Sequence, residues 1–285
     1  MSVPRQHVPE QGVTFAEIQG LRLAAFDAGE GPLVVMVHGF PDTPHTWDAA
    51  RGPVVEAGWR VVTPWLRGYA PSQGPAVDDY SAERLGRDVL GWMDACGAET
   101  AVLVGHDWGA LSTYAAAALA PERVRALITL AIPHPGYWVP RPVDLWAGRH
   151  FLGLRLPGAE GRFARGDLQG VDTLVARWSP RWSFTEADVA AAKNCLAAPD
   201  GVHHALGFYR VAELPAARFL RRPIHVPTWA FVGDSDLIPV DAWRGVARGF
   251  TKGYEVVEIP GGHFAHLESP GVFAERLLEI LGRVA

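Results

Sequence analysis

The sequence predicts an α/β architecture, a mostly parallel, doubly wound sheet interrupted once by a helical insertion. Three observations predict it. Short β-branched apolar runs alternate with helix-length amphipathic segments, several runs such as 33–37 and 101–104 are apolar throughout, and the alternation stops after Ile132 and resumes at Thr228. A strand apolar at every residue is covered on both faces, as strands are in a parallel sheet flanked by helices.

In chain order, Leu33-Val34-Val35-Met36-Val37 ends at His38-Gly39, and Arg60-Val61-Val62-Thr63 ends at Pro64. A helix is predicted over 82–95, where Leu85, Val89, Leu90 and Met93 recur near helical spacing. Ala101-Val102-Leu103-Val104 then ends at Gly105, a helix is predicted over 110–120, and Leu127-Ile128-Thr129-Leu130-Ala131 ends near Pro133. Residues 134–222 are rich in Pro, Trp and Arg, with helix-like pieces at 168–177 and 185–198 and no strand pattern. The sheet resumes with Thr228-Trp229-Ala230-Phe231-Val232 and Tyr254-Glu255-Val256-Val257, followed by a helix over 272–281. The expected organisation is therefore a core domain, 1–133 and 223–285, carrying a helical cap, 134–222.

Composition narrows the function. The net charge is −5, and Arg221-Arg222 is too short a basic run for a nucleic-acid surface, so nucleic acid is not an expected partner. No stretch of about 18 uncharged apolar residues would span a bilayer, so no membrane partner is expected either. The N-terminal residues 1–12 lack an apolar signal core, and Cys96 and Cys195 stand far apart without motif spacing. A cytoplasmic protein with free thiols, monomeric or homodimeric, is the expectation, with no cofactor and no metal. Several of the 11 tryptophans fall between 138 and 182, where they either pack the core or wall an apolar ligand site.

The chemistry gathers at strand ends, where open parallel sheets bind ligands. Gly105-His106-Asp107-Trp108-Gly109 joins a strand to a helix as small-x-nucleophile-x-small, the form of a tight turn that presents its central residue. The usual occupant is serine, and aspartate changes the reaction. A serine alkylated at carbon becomes an ether that water cannot cleave, whereas an aspartate becomes an ester that an activated water hydrolyses. Asp107 thus points to an electrophilic sp³ carbon, an epoxide or an alkyl halide. Asp is also favoured as a helix N-cap, the plainer role for this residue.

A base is expected after the last strand, at His263 within Gly261-Gly262-His263-Phe264. Its acid comes by elimination. The segment Leu130-Ala131-Ile132-Pro133-His134 holds no carboxylate, whereas Gly233-Asp234-Ser235-Asp236 holds two. Asp236 is the expected partner and Asp234 the turn cap. His266 with Glu268 offers a metal pair without a third ligand at suitable spacing, so a structural role is assigned to His266. In His38-Gly39-Phe40-Pro41, the Phe40 N–H is the expected oxyanion donor, with the Trp108 N–H as the second.

Taken together, these motifs and Arg67-Gly68-Tyr69 resemble the α/β-hydrolase superfamily, and within it the soluble epoxide hydrolases. The likeness runs along nearly the whole chain. It departs at Ala70-Pro71, where the family continues Arg-Gly-Tyr-Gly, and only a local loop change is expected. The resemblance implies an α/β-hydrolase fold, a cap lying over the nucleophile, and a small apolar epoxide plus water as reactants. It also implies two cap residues that hold and protonate the epoxide oxygen. Leu206-Gly207-Phe208-Tyr209-Arg210 looks like the segment bearing one, Tyr209. Counting back from Leu156-Pro157-Gly158 places His150 where most relatives have tyrosine, with Tyr137 in reserve. A haloalkane dehalogenase shares the Asp nucleophile, but Phe40 stands where many of those enzymes have Asn. A non-catalytic binding module on the same fold is the rival from another class, and the complete nucleophile, base and acid set speaks against it.

Overall fold

The computed structural model describes residues 12–213 and 216–285; the N-terminal stretch 1–11 lies outside them. Eight strands form one sheet: β1 (Val13–Ile18), β2 (Leu21–Ala28), β3 (Leu33–Val37), β4 (Arg60–Pro64), β5 (Ala101–His106), β6 (Val124–Leu130), β7 (Thr228–Gly233) and β8 (Tyr254–Ile259). Their order is β1-β2-β4-β3-β5-β6-β7-β8. The β1/β2 and β2/β4 pairs are antiparallel and every other pair is parallel.

Six strands lie where the apolar runs predicted them. The hairpin β1–β2 is an addition. It turns at Gln19-Gly20, both with positive φ (52° and 77°), as a two-residue hairpin requires. Most of β1 is only half-covered, so no uniform apolar run marks it. In β3 and β5 every residue is buried. Val35, Val37 and Leu103 join one core cluster, and Val34, Met36, Val102 and Val104 join another. Successive side chains point to opposite faces, so two covered faces demand unbroken apolarity.

The core helices are α1 (Asp48–Glu56), α2 (Ala82–Ala95) and α3 (Trp108–Leu119), which starts two residues before the expected 110 because it springs directly from the elbow. Between β6 and β7 the described residues form helices and loops, with no named strand: α4 (Pro142–Ala147), α5 (His150–Arg155), α6 (Ala159–Phe163), α7 (Arg165–Trp178), α8 (Glu186–Leu196) and α9 (Gly201–Val211). The predicted pieces at 168–177 and 185–198 correspond to α7, whose backbone is non-helical at Gly166, Asp167 and Leu168, and to α8, started by a Thr185/Asp188 capping box. The last helices are α10 (Val240–Gly245), α11 (Ala265–Glu268) and α12 (Pro270–Val284). Insertion residues Phe163, Trp178 and Tyr209 share one continuous apolar cluster with Phe40 and Trp108. That packing fixes the insertion over the carboxyl ends of the central strands.

Candidate active site

Asp107 sits between β5 and α3 with φ 52° and ψ −117°, a conformation that costs an L residue energy and persists only where its surroundings impose it. The neighbours show the imposition. A Cβ on Gly105 would stand 2.4 Å from the Gly109 carbonyl oxygen, and one on Gly109 would stand 2.1 Å from the Val37 oxygen. A Cβ on Gly39 would stand 2.5 Å from the Asp107 Cβ. Asp107 occupies the N-cap position of α3, yet its side chain makes no capping hydrogen bond. The plainer role fails, and the carboxylate is free to face the site.

One carboxylate oxygen, Oδ1, accepts a hydrogen bond from the Phe40 N–H at 3.0 Å. The other, Oδ2, lies 3.6 Å from His263 Nε2. On the far side of the ring, His263 Nδ1 lies 3.8 Å from Asp236 Oδ1, and the Asp236 side chain is buried. Burial disfavours the imidazolium, but the carboxylates flanking it outweigh burial and raise the His263 pKa to about 9. Burial likewise works against the Asp107 anion, and the His263 charge with the Phe40 N–H reverses it, leaving Asp107 below the ordinary carboxylate value. The resting pair is a buried ion pair.

Neighbouring residues hold these groups in place. His38 Nε2 accepts from the Leu66 N–H at 3.0 Å, so its Nδ1 carries the proton and donates to the Gly39 oxygen at 2.8 Å. Burial lowers the His38 pKa to about 3, so this neutral brace holds the Gly39-Phe40 turn. Asp234 is the turn cap, its Oδ1 accepting from the Gly261 N–H at 3.2 Å. The loop bearing the base is tied to the insertion: the His263 N–H donates to the Trp178 oxygen at 3.0 Å and the Phe264 N–H to Ser179 Oγ at 3.1 Å. Trp108 opens α3, where a backbone N–H has no partner within the helix.

A cavity of about 520 Å³ opens over this group, lined by Asp107, Trp108, Asp236, His263 and, from the insertion, His150, Phe151, Trp178 and Tyr209. The ring centroids of His150 and Tyr209 are 6.3 Å apart. Burial and the Asp107 charge hold the Tyr209 phenol well above 10, so it keeps its proton. Burial, aided by the Arg177 charge, lowers the His150 pKa to about 4, leaving a neutral imidazole. Tyr137 is not among the lining residues; its hydroxyl donates to the Arg221 oxygen at 3.1 Å and its ring packs near Gly249. Of the tryptophans between 138 and 182, Trp138 and Trp178 wall the cavity and Trp146 is exposed.

One cluster was not legible from spacing. Ligating atoms of Asp42 in the loop after β3, His106 at the end of β5 and His266 in α11 lie within 4.8 Å of one another beneath the site. His266 Nε2 is 2.6 Å from Thr46 Oγ1, and Glu268, considered beside His266, instead accepts from the Gly262 N–H at 2.6 Å. His106 Nε2 donates to the His263 carbonyl at 3.0 Å. Burial lowers the His106 pKa to about 3 and that of His266 well below 6.5, while it raises Asp42 to about 7. Neutral rings therefore support the base loop from below.

A strained acid at a strand–helix elbow, a histidine after the last strand and a donor after β3 define a hydrolase on this fold. The family model described as alpha/beta hydrolase fold matches residues 32–270, and the chain belongs to the α/β-hydrolase family, on its epoxide hydrolase branch. It is 40% identical to "Epoxide hydrolase A" of Mycobacterium tuberculosis, over 93% of this chain and 95% of that one. It is 29% identical to an "Epoxide hydrolase" of Caballeronia sordidicola, over 93% and 92%. The crystal structure of an epoxide hydrolase from Vigna radiata superposes with a TM-score of 0.81 at 24% identity, covering 95% of this chain and 97% of that one, and shares the fold.

Proposed function

We propose that the protein hydrolyses apolar epoxides to vicinal diols through an ester on Asp107. An Asp107 carboxylate oxygen attacks an oxirane carbon, the carbon–oxygen bond opens, and Tyr209 gives its proton to the leaving oxygen while an N–H of His150 hydrogen-bonds it. Neutral His150 acts as a donor without adding a charge to the pocket. The ester removes the negative charge beside His263, so the imidazolium loses a partner, its pKa falls, and it gives up a proton that, relayed through solvent, restores the Tyr209 phenol. His263 then takes a proton from water, held in orientation by Asp236. The hydroxide adds to the Asp107 carboxyl carbon and the Phe40 and Trp108 N–H groups receive the oxyanion; the adduct then collapses with cleavage of the ester bond, the leaving alkoxide takes the proton of the added hydroxyl, and the diol departs with the Asp107 carboxylate and the His263 imidazolium restored.

The observation that carries this reading is a carboxylate at the elbow that faces both a histidine and an apolar cavity. The dehalogenase alternative would use the same nucleophile, and halide release from a bromoalkane assayed beside styrene oxide loss separates the two. We further take 134–222 as a cap domain over a core of 1–133 and 223–285. The free thiols Cys96 and Cys195 support a cytoplasmic setting. The test is His263→Gln incubated with an epoxide. Intact mass should rise by the mass of one substrate, and turnover at the wild-type rate would remove His263 from the mechanism.

A further inference from the structure

The insertion carries an apolar surface that the reaction does not use. Among the described residues, six of the nine exposed large apolar side chains fall between 139 and 156: Val139, Val143, Leu145, Trp146, Leu152 and Leu156, each 58–73% exposed. They occupy α4, α5 and the flanking loops, within one stretch of chain. The patch is continuous with the cavity, because Leu145 is both exposed and part of the cavity lining. Leaving that much apolar surface in water is costly in a monomer and marks an interaction face.

The charges on this stretch are of one sign. From 139 to 158 the ionisable side chains are Arg141, Asp144, Arg149, His150 and Arg155. Asp144 is buried and held by Arg141 at 3.1 Å, so the exposed charges are all arginines. The Arg149 guanidinium lies 4.4 Å from the Trp146 ring centroid, placing a cation against the apolar face. This occurs on a chain whose net charge is −5. Of the exposed acids bordering the stretch, Asp241 beside Arg141 pairs with Arg244, and Glu160 pairs with His203 and Arg210, so a second copy related by a two-fold axis would set Arg149 and Arg155 against arginines. A surface of phospholipid with anionic headgroups meets both halves of the pattern, since indole and leucine enter the headgroup–acyl boundary while arginines meet phosphate.

We propose that the α4–α5 face of the cap docks on an anionic phospholipid surface and holds the cavity mouth against it. Apolar epoxides partition into bilayers, so docking delivers substrate where it is concentrated; this delivery role rests on the epoxide reading, whereas docking itself does not. That no helix among the described residues is long and apolar enough to cross a membrane bears on spanning it and not on contact with its surface.

The test is co-sedimentation of the full chain with phosphatidylcholine vesicles, with and without phosphatidylglycerol. Binding is expected to be stronger with the anionic lipid and to weaken as salt rises. Trp146→Ser/Leu152→Ser, at two positions outside the cavity lining, should reduce it by about tenfold or more. Arg149→Glu/Arg155→Glu should abolish the preference for anionic lipid. Both variants should keep the wild-type melting temperature and turnover of a water-soluble epoxide without vesicles. Equal binding by wild type and the Ser variant, or none by either, would overturn the proposal. So would a wild-type dimer that the Ser variant makes monomeric, which would give the face to a second copy. If neither protein turned over any epoxide, the functional reading would fail while the vesicle result stood.

Discussion

Replacing Asp107 by Asn imitates the one change that ester formation makes to the electrostatics of the site. It removes a negative charge 3.6 Å from His263 Nε2 and leaves the other carboxylate, Asp236, at 3.8 Å from Nδ1. At an effective dielectric constant of about 20, two unit charges about 4 Å apart attract by roughly 4 kcal/mol. At 1.36 kcal/mol per pKa unit, losing that attraction should lower the His263 pKa by roughly 3. In the intact site that pKa stands at about 9, so the ring is an imidazolium at neutral pH. In the variant it should titrate near or below neutrality, as a base must. The assay is an NMR titration of the His263 ring in both proteins, with the variant's mass checked to exclude deamidation back to Asp. A His263 that titrates within half a unit of wild type in the Asn variant would refute the reasoning. The reaction would then need another way to discharge the base.

Tyr209→Phe removes the proton donor and keeps the packing, so single-turnover ring opening should slow by about a hundredfold or more. Tyr137→Phe should leave the rate unchanged, since that hydroxyl is spent on the Arg221 carbonyl outside the cavity. Stability should depend on pH through the ion pair. Folding raises the His263 pKa from 6.5 to about 9, so its contribution is complete below about 6.5 and is lost as pH rises through about 9. Folding lowers the Asp107 pKa from 3.8, so its contribution is present above that value and is lost in more acid solution. Between pH 6 and 10, wild type should lose up to about 3 kcal/mol that His263→Gln does not lose, as denaturant melts would show. Parallel alkaline declines in the two proteins would place the titrating group elsewhere.

Legibility followed the physics of each element. The strands β3 and β5 stood out because two covered faces leave no room for a polar residue, whereas the half-covered hairpin β1–β2 carried no such mark. The boundaries of α7 slipped because a non-helical step at 166–168 is set by tertiary packing and has no sequence period. Gly39, Gly105 and Gly109 were readable as a motif, and the reason for each glycine is the carbonyl or Cβ it would strike.

On its own, the sequence determined the fold class, the carboxylate at the elbow and the order in which donor, nucleophile, acid and base follow the strands. These are properties of local pattern, since each residue is named by the strand end it follows. Only the tertiary structure put His150 and not Tyr137 in the cavity wall, placed Asp42, His106 and His266 beneath the base loop, and left the α4–α5 face bare. Each of those depends on segments distant in the chain meeting in space, and spacing along one chain carries no record of such a meeting.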